Sequence, residues 1–123
     1  MADEIKLAPK FFFELDDRKY GARPLTIRQR AQVGAETERL TGGNLTKWLA
    51  DPNMGITAFL LMAAVTMSAS IVAWPADLPP IDFVNSDDAE VVTRHWEVFD
   101  RESKNFFKRT SNSSGVVGSE LPA

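Results

Sequence analysis

The chain contains no cysteine, which excludes disulfide frameworks, thiol nucleophiles and cysteine-ligated zinc. It has one histidine, His95, and the nearby Glu97 and Asp100 complete no metal triad at a recognised spacing. A single histidine with no nucleophile motif beside it cannot build a Ser-His-Asp arrangement. Thr41-Gly42-Gly43-Asn44-Leu45-Thr46-Lys47 lacks the spacing of a phosphate loop. Asp87, Asp88 and Glu90 suit the start of a helix better than acid–base work, which needs paired groups in a shaped pocket. The opening Met1-Ala2-Asp3-Glu4-Ile5-Lys6 has no apolar signal core, so secretion is not expected, and the sequons at Asn44 and Asn112 then read as chance matches. The expectation is a non-enzyme with no catalytic residue, cofactor or metal.

What is present fits one small domain: 123 residues, 44% hydrophobic and 25% charged. A formal charge of −3 argues against a nucleic-acid binder. The local cluster Arg18, Lys19, Arg23, Arg28 and Arg30 reads as a solvated hairpin tip and helix face.

Along the chain, Phe11 to Leu15 has strand-forming side chains, Asp16-Asp17-Arg18-Lys19 is turn material, and Tyr20 to Leu25 returns as a second strand, giving a hairpin over 11–25. Thr26-Ile27-Arg28-Gln29 fits a capping box that starts a helix over 27–40. Gly42 and Gly43 end it, and Asn44 caps a short helix over 45–50. Asp51-Pro52 opens a long apolar helix over 52–73 that stops before Pro75. Ser86 caps a last helix over 86–109, on which Val92, Trp96, Phe99, Ser103 and Phe106 or Phe107 form an amphipathic face. Residues 1–10 read as a flexible leader and 110–123 as a disordered tail around a single domain at 11–109. The expected fold is mainly α with a small N-terminal β-hairpin, an α+β domain of three to four helices.

Residues 54–76 carry no charged side chain until Asp77, and the stretch is long enough for a bilayer, which needs about 20 apolar residues. Small and polar residues such as Thr57, Thr66, Ser68 and Ser70 dilute it, and the hairpin phenylalanines and Trp96–Phe107 stripe need an apolar partner. A buried core helix is the favoured reading, with a single-pass, holin-like membrane protein as the alternative.

The segment FFFELDDRKYGARPLTIRQRAQ, through Phe13, Leu15, Asp16, Asp17, Tyr20, Arg23, Pro24, Leu25 and Thr26, resembles the opening of siphophage tail assembly chaperones. That resemblance implies a non-virion protein in the cytoplasm of an infected bacterium, binding the tape measure protein and helping to recruit tail tube protein. It also implies a longer form of the same protein made by ribosomal slippage, for which codons at Asn105-Phe106-Phe107 offer a site. The long uncharged stretch is more hydrophobic than the family leads one to expect. A structural tail or connector subunit is a further alternative. In the chaperone reading a helical client lies in an apolar groove, and the expected partner-binding residues are Trp96, Phe99, Phe106 and Phe107.

Overall fold

A computed structural model describes residues 8–114. Asp16 and Asp17 both hold positive φ, 55° and 63°, the pair of left-handed residues that a two-residue hairpin turn requires. They join β1 (Phe11–Leu15) to β2 (Arg18–Ala22), with Phe13 opposite Tyr20 and Leu15 opposite Arg18. The turn is thus two residues rather than four, and Arg18 and Lys19 belong to the second strand. That strand ends at Ala22, so Pro24 lies beyond it and removes no ladder donor.

The expected capping box forms. Thr26 Oγ1 accepts from the Gln29 amide at 3.0 Å and Gln29 Oε1 accepts from the Thr26 amide at 2.9 Å, opening α1 (Ile27–Leu40). Gly42 and Gly43 leave the helix at φ 63° and 82°, and the Gly43 amide returns to the Glu38 carbonyl at 2.8 Å. Asn44 does not cap α2 (Leu45–Ala50) with its side chain, which instead donates to the Thr41 carbonyl at 3.1 Å. The Leu45 amide is satisfied by Glu38 Oε1 at 3.2 Å.

The long apolar stretch departs most from expectation. Asp51 Oδ1 accepts from the Asn53 and Met54 amides, so Pro52 to Met54 form a turn and α3 begins only at Gly55. It ends at Ser70, and Ile71–Ala73 become a strand, β3, antiparallel to β2 on the side away from β1. The expected two-stranded hairpin is therefore a three-stranded sheet in the order β1-β2-β3. The β-branched Ile71 and Val72 suit the pleat, and the Arg23 amide donates to the Ser70 carbonyl at 2.9 Å to tie the junction. Among the described residues no helix is long and apolar enough to cross a membrane.

A connector containing Pro75, Pro79 and Pro80 leads to α4 (Ala89–Ser114). Its first free amides are met by Asp88, whose Oδ1 accepts from the Glu90 amide at 3.0 Å, while Ser86 Oγ accepts from Asp88. The start is thus later than expected. At the other end, residues 110–114, expected in the tail, continue the helix; the rest of that tail and residues 1–7 of the leader lie outside the described residues.

Helix α3 is the hub. It packs against α1, α2 and α4, while α4 also lies against β1. Phe11, Phe13, Tyr20 and Ala22 turn inward from the sheet onto Ala63, Ala64, Met67 and Phe99. Phe13 stacks on its cross-strand partner Tyr20 with centroids 4.7 Å apart, and Phe99 meets Phe13 edge-on at 5.8 Å. Each such phenylalanine contributes roughly 1.5–3 kcal/mol by leaving water. The result is an α+β fold with four helices and one small antiparallel sheet among the described residues.

Candidate protein-binding groove

Successive residues of a helix turn by about 100°, so Phe59, Met62 and Thr66 share one strip of α3. That strip lies between α1 and α4 and stays partly open among the described residues: Phe59 is 41% and Met62 37% exposed. Leu25, Arg30, Val33 and Thr37 from the α1 side join Met62 and Thr66 around a depression of about 300 Å³. A second depression of about 140 Å³ continues from Leu25, Arg30 and Thr66 to Trp96, Phe99, Ser103 and Phe107 of α4. Because three residues line both, the two form one groove with α3 as its floor.

The four expected binding residues separate by their rotation on α4. Trp96 and Phe107 stand at the rim, Trp96 meeting Phe59 edge-on at 6.0 Å and Phe107 being 44% exposed. Phe99 is only 4% exposed; it borders the second depression but packs chiefly on Phe11, Phe13 and Trp96. Phe106 turns away from the groove and packs on Phe11 with centroids 5.6 Å apart. Met62 and Leu25 complete the groove and Phe59 stands exposed beside Trp96; none of the three was expected there. No periodic signal could single out Phe59 and Met62, since α3 is apolar on every side and its pattern does not show which side stays open.

The groove offers contact rather than bond-making chemistry. Its charged groups are Arg30 and Asp100, and Asp100 is paired with Lys104 at 2.9 Å. Ser70 Oγ donates to the Arg23 carbonyl and so belongs to the backbone framework. Among the described residues no group of three or more His, Asp or Glu side chains could hold a metal ion. Of the basic cluster, Arg18 pairs with Asp77 at 3.2 Å, Arg23 donates to the Ala8 carbonyl, and Lys19 sits 4.5 Å over the Phe12 ring.

A buried side-chain to side-chain contact between distant elements lies elsewhere. His95 Nδ1 is 2.8 Å from the Val91 carbonyl, which only accepts, so Nδ1 carries the proton and donates. Nε2 is then an acceptor, and Tyr20 Oη donates to it at 3.0 Å. Phe83 and Tyr20 close over the imidazole at 5.2 and 5.4 Å. Burial pushes the His95 pKa down, opposed by the Val91 carbonyl and helped by Arg94, and burial pushes the Tyr20 hydroxyl up. His95 is therefore a buried tie between α4 and β2.

No protein-family model, curated protein or solved structure matches the chain.

Proposed function

We propose that the chain is a binding protein, not an enzyme, and that it holds an apolar helical segment of a client in the groove between α1 and α4. The observation that carries this reading is the partly open strip of α3, with Met62 and Thr66 between walls supplied by Leu25, Val33, Trp96 and Phe107, and Phe59 exposed beside Trp96. A groove with an apolar floor accepts an amphipathic helix through anchors at i, i+3 and i+7, and specificity comes from their spacing. Joined to the resemblance of residues 11–32, this reading becomes a tail assembly chaperone. Its client would be the tape measure protein, with tail tube protein recruited to the complex, in the cytoplasm of an infected bacterium.

The test is co-expression with the tape measure protein of the same genome, scoring soluble client and its co-purification. The chain should raise the soluble fraction, and Met62→Glu combined with Phe107→Ser should abolish the gain while leaving the circular dichroism spectrum unchanged. Equal solubilisation by the folded double variant would remove the groove from the reaction. No solubilisation by the native chain would remove the chaperone reading itself.

A further inference from the structure

We propose that two copies of this chain pair antiparallel through the open edge of β1, joining their sheets into one six-stranded sheet. The two-residue turn fixes which backbone groups face which way. Leu15–Arg18 closes the hairpin, so the residues opposite each other at Leu15, Phe13 and Phe11 exchange bonds with β2. The amides and carbonyls of Phe12 and Glu14 therefore point out of the sheet, on the side where β1 has no neighbouring strand among the described residues. An open edge of this kind is a template for another strand.

The occupant favoured by charge is a second copy. A two-fold axis through Phe13 places Phe12 opposite Glu14 of the other copy, so the outward-pointing residues exchange bonds with each other. Lys19, held 4.5 Å over the Phe12 ring, then meets that Glu14, and the contact occurs twice. Below the edge, Phe12, Phe13, Glu14, Arg101 and Glu102 surround a depression of about 320 Å³. Arg101 and Glu102 there are neighbours of opposite sign, paired with each other at 3.4 Å. They lie on a different face of α4 from Trp96 and Phe107, which leaves the groove accessible in the pair.

Sedimentation of the full chain from low to high micromolar concentration reads the result. A concentration-dependent dimer is expected, with the Phe12 and Glu14 amides exchanging more slowly as it forms. Glu14 also stands opposite Lys19 within its own hairpin, so Glu14→Lys and Lys19→Glu each place like charges together once inside each copy and twice across the pair, and each should weaken the dimer by about tenfold. Mixing the two variants restores opposite charges at both contacts and should recover native affinity, which a fault within either monomer would not do. A monomer at every concentration, amide exchange indifferent to concentration, or a mixture no tighter than its components overturns the proposal. A monomer whose β1 edge instead accepts an extended peptide does the same.

Discussion

Mild acidification below neutral pH acts chiefly on His95, the only histidine in the sequence. In an unfolded chain its imidazole titrates near about 6.5. In the fold, burial lowers that value, and a neutral ring is what the bonds require, with Nδ1 donating to Val91 and Nε2 accepting from Tyr20. Above the unfolded value both states are neutral and the full stability is present. As pH falls below it, the unfolded chain binds a proton that the folded chain does not, so stability is lost towards the folded-state pKa. The slope approaches about 1.4 kcal/mol per pH unit for one proton. Glu36 and Asp82 are held low by Arg39 and Asn85, so their contributions begin to fade only as pH falls through the ordinary carboxylate range, below this window. Urea unfolding followed by tryptophan fluorescence, at steps from about pH 7 to about pH 5, measures the slope. His95→Gln keeps a polar side chain but cannot titrate there, and its stability should stay flat across the same steps. Tyr20→Phe leaves Nε2 buried without its donor and should cost about 1–3 kcal/mol at neutral pH. A flat native profile, or the same slope in His95→Gln, would refute the reasoning.

Two further perturbations probe the packing. Phe99→Ala removes a ring buried against Phe11, Phe13 and Trp96, and should cost about 3–5 kcal/mol in urea unfolding. Gly21→Ala would place a methyl 2.6 Å from Pro9 Cγ and 3.1 Å from Ala73 Cβ. It should lose about 1–3 kcal/mol and expose the backbone after Lys10 to faster limited proteolysis; unchanged cleavage would mean that Pro9 moves aside at no cost.

Much of the fold could be read in advance where a local rule acts alone. Thr26 and Gln29 satisfy each other's amides within four residues, and Gly42 and Gly43 take φ values that side chains resist, so α1 was legible at both ends. Beyond Met67 the rule was ambiguous. Ser70-Ile71-Val72-Ala73 has no glycine or proline to mark a boundary, and only the presence of β2 alongside converts Ile71–Ala73 from helix to strand. The end of α4 was misjudged for a related reason, because polar Thr110 and its neighbours offered no apolar face to follow, yet Thr110 Oγ1 bonds to the Phe106 carbonyl at 2.8 Å. At the groove, Trp96 and Phe107 were visible as aromatic residues on one helical face. That Phe106 would turn to Phe11 depended on where the sheet lies, which is a tertiary fact.

The direct passage from α3 into β3 also bears on how the molecule opens. A two-stranded hairpin alone is marginal in water, and here its third strand is delivered by the C-terminal end of the hub helix. Releasing α3 would withdraw β3 from β2 and the Ser70 carbonyl from the Arg23 amide in one motion. Sheet and helices are thereby coupled into a single cooperative unit, in which the small N-terminal element shares the kinetic lifetime of the helical body instead of fraying independently of it.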